Sequence, residues 1–370
     1  MSLEVTSQTP TQKTRPLVSV VIPVLNGEDT IARGIESVFA QDYPAIECIV
    51  VDDASQDSTA DILRSFGDRI TAVFNETNRG TAGAYNIGTA RARGEFVLLM
   101  ASDCHLTDPA YVSAAVSVLE DESIAGLCGQ GVFSDLHTLN RVQRVFTVVN
   151  LLDVDDNPDD GLFEVSFIET RCDLVRKRAL EEIGFWFEGL YNSTEDQDIS
   201  ARIRQLGYRL VQDKRLKFAL DFGQTEDNLR KVIKKQYKYA NGQGYIFLKY
   251  GLGHHLMTGN QDNRRSRILH RIVQVALGPI VAVGVVAGAT GTPAIALLAT
   301  ALLAARGIYY WRSSARWLKG AERLFCAGLG LVCDLTYGLS FLAALVTWAI
   351  SDPRIVRFGR PMAGDSRPGS

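Results

Sequence analysis

Short β-branched runs alternate with amphipathic stretches over residues 17–100, and this alternation constrains the fold more than any other feature of the sequence. Residues 18–23, 47–51, 70–74 and 95–100 are largely apolar runs of strand length. The stretches between them are predicted to be helical, from apolar residues at helical spacing or from a high glycine and alanine content. A repeated strand–helix rhythm builds a mostly parallel, doubly wound sheet with helices on both faces. We therefore predict an α/β fold.

Polar side chains follow three of the predicted strands. In doubly wound sheets, ligands bind at the carboxyl ends of the strands, which directs attention to Asn26, Asp52, Asp53 and Asp103. A carboxylate at such a position can accept hydrogen bonds from a nucleobase or a ribose hydroxyl. It could also hold Mg²⁺ or Mn²⁺ against a diphosphate, since these ions use few protein ligands. An aspartate that caps a turn occupies the same kind of position, so both interpretations stay open at this point.

Three acidic residues open a predicted helix in the second half of the soluble region. They are Glu195, Asp196 and Asp198. Acidic residues at a helix start act as caps and interact favourably with the helix dipole. A carboxylate held near another carboxylate is also a candidate general base with a raised pKa. The sequence by itself supports both roles equally.

The C-terminal part of the chain contains apolar stretches of membrane-spanning length. Residues 272–290 and 293–306 flank a Gly-Thr break and are typical of a helical hairpin; a helix needs about 20 apolar residues to cross a bilayer. A third stretch, 324–350, is also long enough but contains Asp334. We predict membrane helices over residues 271–351. Because arginines lie at both ends, the topology stays open between one span and a re-entrant pair that returns to the cytosol. A soluble bundle is disfavoured, because nothing amphipathic would supply its polar outer face.

A segment rich in lysine and tyrosine precedes the apolar stretches. Five lysines interleave with apolar and aromatic residues between positions 231 and 249. A basic amphipathic helix of this kind suits the surface of an anionic membrane, so residues 226–270 are predicted to be an interface region. A solvated charged helix is the alternative.

The net charge and the cysteine spacing argue against a nucleic-acid-binding protein and against a cysteine-ligated zinc site. The net charge of −3 and the pI of about 6.0 argue against a nucleic-acid-binding protein. The six cysteines have no zinc-like spacing and are expected to be buried free thiols.

Residues 1–16 are polar and lack the apolar core of a signal peptide. We therefore expect a disordered leader, a cytosolic catalytic domain over residues 17–225 and a disordered tail over residues 352–370.

Several motifs follow one another in a fixed order. They are VSVVIPVLNG at residues 18–27, SVFAQDYP at 37–44, IVVDDASQDST at 49–59, Asn-Arg-Gly at 78–80, Asn-Ile-Gly at 86–88 and RGEFVLLM at 93–100. This series resembles the opening of family 2 glycosyltransferases, which have the GT-A fold. Residues 184–208 resemble the acceptor-side segment of the same family, and residues 228–244 are similar to bacterial membrane-associated exopolysaccharide glycosyltransferases of the succinoglycan type.

The resemblance implies a role for each matching residue. By this resemblance, the residues that bind the nucleotide-sugar are Pro23, Val24, Asn26, Asp52, Asp53, Arg79 and Ser102. Asp103 falls on the last acid of the family's Asp-x-Asp metal motif and would hold Mg²⁺ or Mn²⁺. Asp196 falls on the catalytic base, with Glu195 beside it. The first acid of the metal motif is Ala101 here, and Cys104 stands where some members carry a further acid.

We therefore predict an inverting glycosyltransferase, with a UDP-sugar as the expected donor and a lipid-linked (polyprenyl) saccharide as the acceptor, in polysaccharide or glycoconjugate synthesis. The site would lie at the cytosolic face of the cell membrane. One sugar per encounter is expected, because the Gln-x-x-Arg-Trp motif of processive synthases is absent.

One alternative is transfer to polyprenyl phosphate itself, as in dolichol-phosphate-mannose-type enzymes. Another is a non-catalytic homologue that binds nucleotide-sugar, which Ala101 supports. A nucleotidyltransferase is disfavoured, because no Gly-rich phosphate loop follows the first strand.

Overall fold

The protein has an α/β sheet followed by long C-terminal helices, as seen in a computed structural model. The residues that the structure describes are 15–133, 139–151, 161–186, 194–221, 226–257 and 264–351. The predicted tail lies outside these residues, and so does the predicted leader except for Arg15 and Pro16.

Strands and helices alternate over residues 18–100 as the sequence predicts, whereas later in the sheet region some strands follow one another without a helix between them. The strands are β1 (Val18–Val24), β2 (Ile46–Asp52), β3 (Thr71–Phe74), β4 (Phe96–Met100), β5 (Cys104–Leu106), β6 (Ile124–Phe133), β7 (Leu162–Glu164), β8 (Cys172–Arg176) and β9 (Arg209–Leu220). The helices are α1 (Ile31–Phe39), α2 (Thr59–Ser65), α3 (Gly80–Arg91), α4 (Tyr111–Val118), α5 (Arg141–Leu151), α6 (Lys177–Glu182) and α7 (Glu195–Gln205). The C-terminal helices are α8 (Leu229–Met257), α9 (Arg264–Ala289), α10 (Pro293–Ser313) and α11 (Ala321–Ser351).

The sheet is parallel in its first half and mixed in its second. Its order is β3-β2-β1-β4-β8-β6-β9-β5, with β7 paired to β9. The four strands from β3 to β4 are all parallel, because a helix or helical turn returns the chain across the sheet between them. Beyond β4, β8 pairs antiparallel with both β4 and β6, while β6 and β9 are parallel. The mixed half thus forms the part of the sheet from β8 to the edge strand β5.

Helices cover both faces of the sheet, as the doubly wound prediction requires. Successive residues of a strand point to opposite faces. Val20 and Ile22 accordingly pack with Ile31 of α1 in one buried cluster. Val21 packs on the other face with Tyr85 of α3. The predicted α/β fold is therefore confirmed.

Three C-terminal helices are long and apolar enough to cross a membrane, among the residues that the structure describes. They cover residues 272–289, 293–313 and 321–350. Arg306 of α10 and Asp334 of α11 form an ion pair at 2.7 Å, and Tyr310 donates a hydrogen bond to the same carboxylate at 3.0 Å. Asp334 is completely buried. A charged side chain in an apolar helix is costly unless it is paired, and this pairing accounts for the aspartate in the third stretch.

Candidate active site

A cleft of about 330 Å³ lies at the carboxyl ends of the parallel strands. It is lined by six of the residues that the sequence singles out: Pro23, Val24, Asp53, Ser102, Asp103 and Glu195. These residues come from the ends of β1, β2 and β4 and from the start of α7. The general rule for open α/β sheets places a ligand at this edge. Asn26, Asp52, Arg79 and Asp196 are not part of the cleft lining.

Asp53 fixes the start of helix α3 beside the cleft. Its carboxylate accepts hydrogen bonds from the backbone N–H of Arg79 at 2.9 Å and of Gly80 at 2.8 Å. Asn75 donates a third, from its side-chain amide, at 2.9 Å. The first N–H groups of a helix have no partner within the helix, so a carboxylate there satisfies them and interacts favourably with the dipole. Asp53 thus shapes the wall of the cleft, while the exposed Arg79 is held next to it by its backbone.

Asn26 and Asp52 connect the loops that follow β1 and β2. Asn26 accepts a hydrogen bond from the backbone N–H of Gln56 at 2.7 Å, and its own N–H donates to the hydroxyl of Ser55 at 2.9 Å. Asp52 accepts a hydrogen bond from the backbone N–H of Ser55 at 3.0 Å. Asn26 has a φ of 54°, a conformation that asparagine tolerates better than most residues. Both residues therefore hold the loops that frame the cleft.

Asp103 lies in the turn between β4 and β5, with Ser102 before it. The turn is closed by a backbone hydrogen bond of 3.0 Å from Cys104 to Ala101. Among the described residues, no cluster of three or more histidine, cysteine or acidic side chains could hold a metal ion. A single carboxylate beside a hydroxyl still fits Mg²⁺ or Mn²⁺, because these ions keep several waters and take phosphate oxygens as ligands. Asp103 and Ser102 are the residues that would hold such an ion.

Glu195 and Asp196 stand at the first turn of α7. Oε2 of Glu195 is buried, and no hydrogen-bond donor reaches it within the described part of the chain. Asp196 accepts a hydrogen bond from the backbone N–H of Gln197 at 2.8 Å. Burial raises the pKa of Glu195 to about 7. Burial, together with the neighbouring Glu195 carboxylate, also raises the pKa of Asp196 well above its usual range.

Helix α7 is anchored to α8 by buried polar contacts behind this carboxylate pair. Asp198 accepts hydrogen bonds from Lys249 at 2.8 Å and from Tyr250 at 2.6 Å, and it forms an ion pair with Arg202 at 2.9 Å. Gln243 of α8 donates to Gln197 at 2.9 Å. Burial opposes the charge of Asp198, but these cations and hydrogen bonds lower its pKa. The start of α7 is therefore held in a fixed position by α8.

Several cleft residues were not predicted from the sequence. They are Tyr85, Glu169, Thr170, Arg171, Lys235 and Tyr239. Lys235 and Tyr239 belong to the basic segment predicted to be an interface region, and its lysines are the only sequence signal that pointed to them. Arg171 and its neighbours precede β8, where no pattern in the sequence marks a ligand site.

Comparison with known proteins identifies the relatives of this chain. The family model for glycosyl transferase family 2 matches residues 19–184. The putative teichuronic acid biosynthesis glycosyltransferase TuaG of Bacillus subtilis is 42% identical over 92 residues, or 24% of this chain and 36% of that protein. The succinoglycan biosynthesis protein ExoO of Rhizobium meliloti is 39% identical over 89 residues, or 24% of this chain and 26% of that protein. The matches thus span 26% to 36% of the lengths of these two relatives.

A further match is longer but has lower sequence identity. The poly-beta-1,6-N-acetyl-D-glucosamine synthase of Staphylococcus epidermidis is 23% identical over 237 residues, which are 63% of this chain and 56% of that protein. Among solved structures, the mannosyltransferase PcManGT from Pyrobaculum calidifontis, in complex with GDP-Man and Mn²⁺, has a TM-score of 0.55 at 20% identity. The alignment covers 91% of this chain and 88% of that one. This likeness confirms the predicted GT-A fold.

Proposed function

We propose that the chain transfers a sugar, with inversion, from a nucleotide-sugar to a lipid-linked saccharide. The premise is that residues 19–184 match the family model for glycosyl transferase family 2. The site is the cleft that contains Asp103 and Glu195. The acceptor is presented at the cytosolic face of the cell membrane, where the apolar helices anchor the protein. The product belongs to polysaccharide or glycoconjugate synthesis.

The observation that carries the proposal is the unsatisfied carboxylate oxygen of Glu195. This buried oxygen belongs to a residue that lines the same cleft as Asp103, and no donor within the described residues reaches it. An unpaired buried acceptor costs free energy unless a ligand supplies the donor. An acceptor hydroxyl is a donor of the right kind, so the geometry favours a site that binds and deprotonates an alcohol.

The reaction is a single displacement at the anomeric carbon. The Glu195–Asp196 pair takes the proton of the acceptor hydroxyl while its oxygen forms the new glycosidic bond. The bond between the anomeric carbon and the diphosphate oxygen breaks, and the nucleoside diphosphate leaves with the electron pair. Asp103 would hold Mg²⁺ or Mn²⁺, which when bound would supply positive charge to neutralise the diphosphate. Attack from the face opposite the leaving group inverts the configuration at the anomeric carbon.

The raised pKa of the pair suits this role. A general base works best when its pKa lies near the operating pH, and Glu195 has a pKa of about 7. Because Glu195 and Asp196 are neighbours, a negative charge on one opposes ionisation of the other. A carboxylate with a pKa raised in this way can take the proton of the acceptor near neutral pH.

The acceptor class rests on the C-terminal helices and on the relatives. Three helices are long and apolar enough to cross a membrane, and α8 connects them to the cleft. Two of the similar proteins carry names that refer to polymer synthesis, teichuronic acid in one and succinoglycan in the other. A lipid-linked saccharide would bring its hydroxyl to a site held at the bilayer.

The experiment that tests the proposal is a donor screen with the detergent-solubilised full chain. Release of UDP, GDP or dTDP is measured with lipid-linked saccharides or polyprenyl phosphate as acceptors, with Mn²⁺ or with EDTA. We expect one nucleotide to be released in an acceptor-dependent manner. Transfer should fall at least 100-fold in both Glu195→Gln and Asp196→Asn, since general base catalysis contributes about 10²–10⁴.

Glu76→Gln is the matched control, because Glu76 is an exposed glutamate outside the cleft lining. Full transfer in both carboxylate variants would refute the assignment of the base. Turnover with polyprenyl phosphate alone would replace the proposed acceptor. Donor binding without turnover on any acceptor would contradict an enzymatic role.

A further inference from the structure

Two cationic side chains that the family match does not single out line the same cleft as Asp103. Arg171 precedes β8, and Lys235 lies in α8, beyond the residues 19–184 that match the family model. The two side chains come from separate parts of the chain that the fold brings together. The positive charge of Arg171 lowers the pKa of Lys235 in part, although other groups raise that pKa overall.

Lys235 is held in place by groups that keep it protonated. Its ammonium lies 2.9 Å from the carboxylate of Glu226, and the rings of Phe146 and Tyr239 are each centred 5.8 Å from it. Burial favours the neutral amine, but Tyr239 and Glu226 more than offset this effect and raise the pKa of Lys235. A charged amine is thus fixed at the wall of the cleft.

Arg171 is held beside the turn that carries Asp103. Its backbone carbonyl accepts a hydrogen bond of 2.7 Å from the N–H of Ala101. Its side chain forms an ion pair with Glu169 at 3.2 Å. The preceding Thr170 has a φ of 54°, which is strained for a β-branched residue, and its carbonyl accepts a hydrogen bond from Tyr85 at 2.8 Å. Contacts on both sides therefore fix the backbone from which Arg171 projects.

A divalent ion held by one carboxylate would neutralise only part of the negative charge of a leaving diphosphate. Among the described residues, no cluster of three candidate metal ligands exists in the cleft or elsewhere. Metal affinity in this site must then depend on Asp103 and on the phosphates themselves. Fixed cations aimed at developing negative charge are an effective substitute, because they need no reorganisation during the reaction. Arginine and lysine are the usual protein groups that bind phosphate oxygens.

We propose that Arg171 and Lys235 bind the diphosphate of the donor and neutralise it as it leaves, in addition to the divalent ion that Asp103 would hold. This inference rests on the proposed function, since it concerns the donor of the same reaction. It places Lys235 of α8 in the diphosphate subsite. The helix that leads to the membrane segments therefore contributes a side chain to the catalytic site. It also predicts that part of the affinity for a nucleoside diphosphate is independent of metal.

Calorimetric titration of the full chain with UDP, GDP and dTDP tests the proposal. Each titration is done in EDTA and in Mn²⁺, with uridine, guanosine and thymidine as probes that lack phosphate. In EDTA we expect Lys235→Gln and Arg171→Gln to bind the preferred diphosphate at least about tenfold more weakly, a loss of about 1.4 kcal/mol, because each variant loses a charged hydrogen bond to the phosphates. Affinity for the matching nucleoside should stay within about twofold of wild type.

Controls separate charge from damage to the fold. Lys234→Gln removes the neighbouring exposed lysine and should bind the diphosphate like wild type. Lys235→Arg should retain most of the affinity, because the positive charge is kept. The double variant Lys235→Gln with Glu226→Gln removes the whole ion pair, which avoids leaving Glu226 buried and unpaired. In Asp103→Asn, we expect Mn²⁺ no longer to increase the affinity for the diphosphate. The affinity of this variant in EDTA should match that of wild type.

Each outcome decides the inference. Unchanged diphosphate affinity in Lys235→Gln and Arg171→Gln overturns it while leaving the proposed function intact. The same holds if those variants change only the KM for the lipid-linked acceptor, since the cations would then serve the acceptor. If wild type binds none of UDP, GDP and dTDP, the proposed function fails together with this inference. Selective loss of diphosphate affinity supports it.

Discussion

Replacing Glu195 by glutamine should make the folded protein more stable above neutral pH while it reduces transfer. The buried Oε2 of Glu195 has no donor within the described residues. An ionised carboxylate in such a place is poorly solvated, which is why burial raises its pKa. Glutamine keeps the shape of the side chain but carries no charge at any pH.

The size of the effect follows from the pKa. The pKa of Glu195 rises from 4.5 to about 7 in the folded state. A difference of roughly 2.5 corresponds to about 3 kcal/mol, at about 1.4 kcal/mol for each pKa unit. Because the folded state binds the proton more tightly than the unfolded chain, this cost is absent below pH 4.5 and grows as the pH rises towards 7. Above that pH, the wild-type protein carries the full cost and the glutamine variant does not.

Thermal unfolding of the detergent-solubilised proteins at pH 5 and pH 8 measures this difference. A gain of about 3 kcal/mol corresponds to a rise in Tm of about 5–10 °C, scaled from domains of intermediate size. We expect Glu195→Gln to exceed wild type by that amount at pH 8 and by much less at pH 5. The exposed Glu76→Gln should match wild type at both values.

Two results would refute the reasoning. If the Tm difference between Glu195→Gln and wild type is the same at both pH values, burial does not destabilise the ionised carboxylate. If the variant is less stable than wild type at pH 8, the carboxylate has a partner that glutamine cannot replace. In either case, the raised pKa would no longer support Glu195 as part of the base.

Three further predictions concern residues that support the site. Asp53→Ala should lower the free energy of unfolding by about 1–2 kcal/mol in denaturant titration, because the first N–H groups of α3 lose their acceptor; an unchanged midpoint would contradict this role. Asp198→Ala should cost about 3–5 kcal/mol in the same assay, since it leaves Lys249 without its carboxylate in a largely buried site, and a loss under 1 kcal/mol would count against the anchoring of α7. Gly338→Leu should lower the yield of monodisperse protein on size-exclusion chromatography, because a Cβ there would lie 2.8 Å from the carbonyl oxygen of Val275 on α9; normal yield would show that α9 and α11 do not pack closely there.

The sequence by itself determined the parallel half of the sheet and the apolar helices. The spacing and length of apolar runs depend on local geometry and burial, so β1 to β4 are predicted within one residue of their observed bounds. The apolar parts of the C-terminal helices are also predicted, although α9 begins eight residues before the predicted stretch and α10 ends seven residues after it. The same argument placed Asp53 and Asp103 at the ligand-binding edge, because parallel strands end on one side of a sheet. These features depend on interactions within short segments or between neighbouring strands.

Only the tertiary structure decided which side chains face the cleft. Lys234 and Lys235 are adjacent in the sequence, yet Lys234 is exposed and Lys235 lines the cleft. Successive residues of a helix point about 100° apart, so the docking angle of α8 decides which lysine faces inward. Arg171 reaches the site because β8 pairs antiparallel with β4, a pairing between segments more than 70 residues apart. Such contacts depend on how distant elements pack, which no local pattern in the sequence specifies.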